Sequence, residues 1–114
     1  MAEVMDLDQE ADIDVATATA GSAPAFIHAF VQALARAGEA EALSGDAAIR
    51  LARGALRSAG AGIETGESLD TLIGRIASPG GTTRAGLDAM AVSGDLDRAA
   101  GAAVRAAVKR ARAL

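Results

Sequence analysis

The chain has 114 residues, no cysteine, one histidine, two phenylalanines as its only aromatic residues and a formal net charge of −4. This length is typical of one domain that buries about two-thirds of the surface of its unfolded chain. The absence of cysteine excludes disulfides, thiolate zinc sites and cysteine nucleophiles, and a single histidine does not make an imidazole metal cluster. The sequence therefore predicts a single domain without a metal site.

Charge and hydropathy indicate the location and the partners of the chain. No stretch approaches the roughly 18 consecutive apolar residues of a membrane span, and the first residues are acidic where a signal peptide is basic. We therefore expect a cytoplasmic protein with no membrane partner. Acidic residues open the chain and basic residues close it: Glu3, Asp6, Asp8, Glu10, Asp12 and Asp14 against Arg98, Arg105, Lys109, Arg110 and Arg112. Without aromatic residues among them, the basic residues indicate a solvated helix face and no nucleic-acid partner.

The composition predicts an all-α fold. Alanine, the commonest residue, is the strongest helix former, whereas the β-branched and aromatic residues typical of strands are few and do not alternate. Glycine, serine and proline divide the chain at residues 21–24, 38, 44–45, 60–66, 78–83 and 93–94. The sequence thus predicts a bundle of about five or six helices joined by short loops.

The first two predicted helices are separated by a cluster of small residues. The first helix begins after Asp8, a good N-cap, and ends at the break Ala20–Gly21–Ser22. Ile13 and Val15 of this helix point inward. The second helix begins near Pro24, because proline is tolerated in a first turn. One face of it, at helical spacing, carries Phe26, Ile27, Phe30, Val31 and Leu34.

The third and fourth predicted helices show the i, i+3, i+4, i+7 spacing of an apolar face. The third runs from about Asp46 until Gly60 ends it. Its predicted buried residues are Ile49, Ala52, Leu56 and Ala59. The fourth carries Leu69, Leu72, Ile73 and Ile76 on its apolar face.

The last two helices are predicted from about Thr83 to Val92 and from about Leu96 to the C-terminus. The final helix has a stripe of mostly small apolar residues: Leu96, Ala99, Ala100, Ala103, Val104, Ala107, Val108 and Ala111. Such a stripe buries little area but lets two helices approach closely. Because large apolar side chains are few, we expect two copies to share one core as a homodimer.

One loop between two amphipathic helices has the composition of an anion site. It reads Ser78-Pro79-Gly80-Gly81-Thr82-Thr83. Its glycines leave the backbone uncovered, and Thr82 or Thr83 can cap the following helix. Several N–H groups and hydroxyls would then converge where the helix dipole is positive. On the residues alone, a tight turn with a threonine cap is the simpler interpretation, and a site for a carboxylate or phosphate is the alternative.

The same loop carries a family resemblance. Together with Gly21-Ser22-Ala23-Pro24-Ala25-Phe26, Thr65-Gly66-Glu67 and Ala85-Gly86-Leu87, it resembles the C-terminal domain of pyrroline-5-carboxylate reductase over nearly the whole chain. The resemblance implies an intertwined homodimer with a fold like the C-terminal domain of 6-phosphogluconate dehydrogenase. It also implies an enzyme of proline biosynthesis that reduces the C=N bond of 1-pyrroline-5-carboxylate to give L-proline, with NADPH or NADH.

By this resemblance, the carboxylate of 1-pyrroline-5-carboxylate or proline would bind at the loop. The hydroxyls of Ser78 and Thr83 and the N–H groups around Gly81 to Thr83 would hold it, and the whole site comprises Ser78, Gly80, Gly81, Thr82 and Thr83. No catalytic residue and no cofactor site are expected in this chain. The reason is that the family's dinucleotide-binding domain, with its glycine-rich turn after a first strand, has no counterpart here.

Departures from the family pattern leave a second interpretation open. Residues 2–8 resemble the stretch that joins the family's two domains, so we expect a cloned or proteolysed domain. A serine, a glycine, a tyrosine and a commonly acidic residue of the family pattern are replaced by Ala20, Ala23, Phe26 and Gln32. The alternative is therefore a stand-alone, non-catalytic helical dimerisation module, although neutral drift in helix packing explains these changes as well. We expect His28 to be partly buried or at an interface rather than catalytic.

Overall fold

A computed structural model describes residues 10–114, which form helices and no β-strand. The elements are α1 (Glu10–Ala16), a π-helical segment (Thr17–Ser22), α2 (Ala23–Ala40), α3 (Gly45–Ile63), α4 (Leu69–Ile76), α5 (Thr82–Val92) and α6 (Asp95–Ala113). None of the helices between residues 10 and 114 combines the length and the apolar composition of a membrane span. The predicted all-α class is confirmed over the described residues.

The predicted break between the first two helices is wrong. The chain runs from α1 through the π-helical segment directly into α2. Pro24, in the first turn of α2, has no N–H to donate to the carbonyl of Ala20, and its ring crowds that carbonyl. A wider turn just before a proline separates these groups without ending the helix. The predicted N-cap, Asp8, lies outside the described residues.

Residues 10–29 and 95–114 belong to one compact unit. In this unit, α1 and the π-helical segment pack against α6. Ala18 and Val108 are buried, at 1% and 8% exposure. The Asp14 Oδ2 and Arg112 Nε atoms lie 3.7 Å apart. The close packing that the small residues of α6 allow is therefore made with α1 and the π-helical segment of the same chain.

Residues 30–94 form a second compact unit. Its core lies where α2 meets α3 and consists of Val31, Ala35, Ala48 and Ala52, with Ile49 and Leu56 packed against them. Half of these side chains are alanines, each of which removes little apolar surface from water. The core of this unit is therefore small.

The prediction that Gly60 ends α3 is wrong. The helix continues to Ile63, and the Gly60 carbonyl accepts the N–H of Glu64 at 3.3 Å. An interior glycine costs a helix only about 1 kcal/mol relative to alanine. The last turn of α3 packs against α4, where the Leu72 Cδ2 lies 3.5 Å from the position of a Cβ on Gly62, and this contact favours the longer helix. The chain leaves the helix only at the following turn, where the Gly66 N–H donates to the Ile63 carbonyl at 3.2 Å.

The predicted apolar faces are only partly covered by the chain itself. Side chains predicted to point inward but found exposed are Ile13 and Val15 on α1 and Ala59 on α3. On α2, exposed apolar residues include Ile27, Phe30 and Leu34. On α4, Leu69, Ile73 and Ile76 are exposed as well. Apolar surface left open in this way is typical of a protein–protein interface. His28 is exposed as well, so its partial burial is not found, and its place at an interface stays a prediction.

Candidate functional site

The loop at residues 78–83 connects α4 to α5 within the unit formed by residues 30–94. After Ile76 the backbone becomes extended at Ala77, with φ −88° and ψ 103°, while the Ala77 N–H still donates to the Ile73 carbonyl at 2.9 Å. Ala77 is only 7% exposed, whereas Ser78 lies at the surface. The buried alanine thus fixes the point at which the loop begins.

Residues 78–81 form a tight turn that requires glycine at two positions. The Gly81 N–H donates to the Ser78 carbonyl at 3.0 Å. Gly80 has a φ of +73°, which a residue with a Cβ adopts only at a cost of about 1–2 kcal/mol. A Cβ on Gly81 would lie 2.7 Å from the Ser78 Oγ, so a larger residue would displace that hydroxyl. Gly80 thus supplies the left-handed residue of the turn, and Gly81 leaves room for the Ser78 hydroxyl.

Helix α5 begins without a side-chain cap, so the predicted cap by Thr82 or Thr83 is wrong. A capping residue needs an extended backbone, and here Gly81 adopts it, with φ −84° and ψ 173°. Thr82 and Thr83 are already the first two residues of the helix. Their hydroxyls are consequently not required for capping.

The first turn of α5 presents backbone N–H donors that find no backbone acceptor in the described part of the chain. The first intrahelical hydrogen bond runs from the Ala85 N–H to the Gly81 carbonyl at 3.2 Å. Within residues 10–114, the N–H groups of Thr82, Thr83 and Arg84 have no backbone acceptor. Such groups at a helix N-terminus attract anions, because they carry the positive end of the helix dipole.

Arg84, which the sequence analysis did not identify, adds positive charge to the N-terminus of α5. Helices α3 and α4 have an aspartate in the first turn, Asp46 and Asp70, whereas α5 has no acidic residue there. The first turn of α5 carries instead the half-buried Arg84. A cation at this end is unfavourable for the helix dipole unless an anion offsets it. In the sequence, Arg84 is recognisable as a basic residue directly after two threonines, with no acidic residue closer in the chain than Asp88.

The structure brings the predicted site residues together and leaves their surface open. Ser78, Gly80, Gly81, Thr82 and Thr83 lie within six residues of chain, in the turn and the start of α5. Two concave surfaces lie elsewhere. One, of about 400 Å³, is lined by Val15, Val104, Arg105, Val108, Lys109 and Arg112. The other, of about 540 Å³, is lined by Asp46, Ala47, Arg50, Leu51, Arg53 and Arg57. Because ligand sites enclose most of the ligand, the loop can supply only one side of a site.

Residues 10–114 contain neither a strand-based dinucleotide-binding unit nor a cluster of metal-ligating side chains. Over residues 10–114 there is no strand followed by a glycine-rich turn and a helix, the unit that holds the pyrophosphate of a dinucleotide. In the same part of the chain, carboxylates and His28 form no group of three that could hold a metal ion.

The sequence departs from the family pattern at four residues of the π-helical segment and α2. These residues are Ala20, Ala23, Phe26 and Gln32.

Comparison with known proteins identifies relatives over nearly the whole described chain. The family model for pyrroline-5-carboxylate reductase dimerisation matches residues 10–114. The chain is 36% identical over 107 residues to pyrroline-5-carboxylate reductase 1 of Bacillus spizizenii, covering 91% of this chain and 35% of that protein. It is 38% identical over 89 residues to pyrroline-5-carboxylate reductase of Pseudomonas aeruginosa, covering 77% of this chain and 33% of that protein. The chain thus spans about a third of the length of the curated relatives it matches.

Solved structures give the same result for the fold. The 1-pyrroline-5-carboxylate reductase of Streptococcus pyogenes is 33% identical, with a TM-score of 0.83 over 96% of this chain and 42% of that chain. Pyrroline carboxylate reductase of Plasmodium falciparum, solved with NADP bound, is 27% identical, with a TM-score of 0.80 over 96% of this chain and 42% of that chain. The family resemblance of the motifs is therefore confirmed, and the chain belongs to the dimerisation-domain family of pyrroline-5-carboxylate reductase.

Proposed function

We propose that this domain forms a homodimer and supplies one side of the substrate site of a cytoplasmic enzyme that reduces 1-pyrroline-5-carboxylate to L-proline. Family membership supports the reaction, and the exposed apolar faces of α2 and α4 support the pairing of two copies. NADPH or NADH would be held outside residues 10–114, because these residues lack the strand, turn and helix that bind a dinucleotide. The contribution of this domain is then assembly, together with binding and orientation of the substrate.

The observation that carries the proposal is the donor-rich start of α5 directly after the glycine turn. We place the ring carboxylate there, with the Ser78 and Thr83 hydroxyls and the N–H groups of Thr82 and Thr83 donating to its oxygens. Hydrogen bonds to an ionised carboxylate are roughly twice as strong as those between neutral groups. The positive charge of Arg84 and the positive end of the helix dipole both attract the carboxylate. These donors, on the backbone and on short side chains, would hold the ring in one orientation.

A second candidate function is a dimerisation module that no longer takes part in the reaction. The residues Ala20, Ala23, Phe26 and Gln32 favour it, because they replace a serine, a glycine, a tyrosine and an acidic residue of the family pattern. Both candidates predict a homodimer. They differ at the loop, since only the enzyme domain needs residues 78–83 to bind a carboxylate.

Titration with L-proline, followed through the amide resonances of the isotope-labelled domain, tests the carboxylate site. Shifts should cluster at residues 80–85, with weak affinity of about millimolar, because only one side of the site is present. Thr83→Val should abolish the shifts, since the hydroxyl is lost while the shape is nearly kept. Thr83→Ser, which retains the hydroxyl, should preserve them. Shifts spread evenly along the chain, or a Thr83→Val domain that binds as before, would return the loop to a structural turn.

A further inference from the structure

An ion pair between Glu67 and Arg75 spans α4. The Arg75 Nη2 donates to the Glu67 Oε1 at 2.5 Å, and the Arg75 Nη1 contacts the Glu67 Oε2. Glu67 lies two residues before α4, and Arg75 lies in its last turn. We propose that Glu67 and Arg75 are positioning residues for the turn at residues 78–81, which begins three residues after Arg75.

This pair differs from an ordinary surface ion pair in its burial and geometry. Its side chains are 34% exposed at Glu67 and 58% at Arg75, and the Glu67 Oε2 is buried. The pair between Asp46 and Arg50 on α3 has side chains 81% and 78% exposed and a separation of 3.5 Å. Exposed pairs hold their side chains weakly, whereas a guanidinium that meets both carboxylate oxygens fixes orientation as well as distance.

The Glu67 end of the pair is fixed to α3. The Thr65 Oγ1 donates to the Gly62 carbonyl at 2.7 Å and accepts the Glu67 N–H at 3.3 Å. One residue later, the Ser68 Oγ accepts the Thr71 N–H at 3.1 Å and caps α4. Glu67 thus stands in a hydrogen-bonded segment, and its carboxylate is a defined anchor for Arg75.

The exit of α4 is held by the burial of Ala77 and by the Arg75 contact. The helix has eight residues, none of them buried, and a helix this short is marginal without outside contacts. Its packing on α3 includes Leu72, whose Cδ2 lies 3.5 Å from the position of a Cβ on Gly62. The Arg75 contact acts at the other end of the helix. Ala77 follows directly after the helix, and the hydrogen bond from the Gly81 N–H to the Ser78 carbonyl closes the turn. The orientation of the end of α4 therefore determines the position of the turn.

The proposal rests on the proposed function only for the identity of the ligand. Glu67→Gln keeps the size of the side chain and removes its charge, and Arg75→Gln removes the other partner. In both variants without ligand, amide resonances of residues 78–85 should move, and amide exchange in α4 should accelerate by about two- to fivefold. The dissociation constant for L-proline should rise by a similar factor, because a smaller fraction of molecules presents the binding-competent turn.

Two further variants separate positioning from a general loss of stability. The charge-reversed pair, Glu67→Arg with Arg75→Glu, should return the L-proline affinity toward that of the unchanged domain. Asp46→Asn, which removes the exposed pair on α3, should leave residues 78–85 and the affinity unchanged. If Glu67→Gln lowers the melting temperature without moving the resonances of residues 78–85, the pair only stabilises α4 and the proposal is overturned. If the unchanged domain does not respond to L-proline, the proposed function fails, and the ligand-free resonances still decide the positioning role.

Discussion

At the scale of single residues, the turn before α5 depends on the left-handed backbone of Gly80. Its φ of +73° would place the Cβ of any other residue in conflict with the backbone. We expect Gly80→Ala to lower the free energy of unfolding by about 1–2 kcal/mol. Denaturation with urea, followed by circular dichroism, measures this change.

The same substitution at Gly74 is the matched control. Gly74 lies inside α4, and a Cβ there would meet no atom within 4 Å. Gly74→Ala should therefore be neutral or stabilising by up to about 1 kcal/mol, because alanine favours the helix. Equal effects at both positions would mean that the turn does not require a left-handed residue.

At the scale of elements, the π-helical segment Thr17–Ser22 is attributed to Pro24. Replacing this residue in Pro24→Ala restores an N–H that can donate to the Ala20 carbonyl and removes the crowding ring. We expect residues 17–23 to become regular α-helix and their amides to exchange more slowly, as hydrogen-exchange spectroscopy would show. Pro79→Ala, at the only other proline of the chain, lies outside the helices and should leave these amides unchanged.

A π-helical segment that persists in Pro24→Ala would contradict this explanation. The widening would then come from packing of Ala18, which is 1% exposed, and not from the proline. Comparing the two variants therefore shows whether the π-helical segment is caused by the proline ring or by tertiary packing.

At the scale of the whole molecule, the exposed apolar face of α4 predicts where two copies meet. Ile73 and Ile76 are 42% and 72% exposed, and Leu69 is 63% exposed. We expect the domain to sediment as a dimer at about 10 μM, because a second copy would cover this surface. The double variant Ile73→Asp and Ile76→Asp should sediment as a monomer, since each unpaired carboxylate would be buried in the interface.

Leu114→Asp controls for the added charge, because this terminal residue is 87% exposed and lies after α6. It should remain dimeric. A dimer that survives both changes on α4 would move the interface to another face of the chain. A monomeric unchanged domain at the same concentration would contradict the shared core altogether.

The sequence by itself determined the features that depend on local chemistry. Helix propensity and periodic apolar residues predict the all-α class and the approximate helix positions, because both act over a few turns of chain. The run from Ser78 to Thr83 identifies the candidate site and the family, because glycine turns and helix starts are also local. Periodicity correctly grouped Ile73 with Ile76 on one face, but it does not specify what covers that face.

Only the tertiary structure decided which local signals prevailed. Packing of the end of α3 against Leu72 of α4 outweighs the helix-breaking tendency of Gly60, and α3 therefore continues to Ile63. The cap of α5 falls on Gly81 because the backbone after the turn is extended there, a property that residue type does not reveal. Glu67 and Arg75 form an ion pair because the chain before α4 is folded so that the Glu67 side chain reaches the last turn of the helix. These outcomes depend on contacts between residues that are apart in the sequence. A pattern of neighbouring residues does not contain that information.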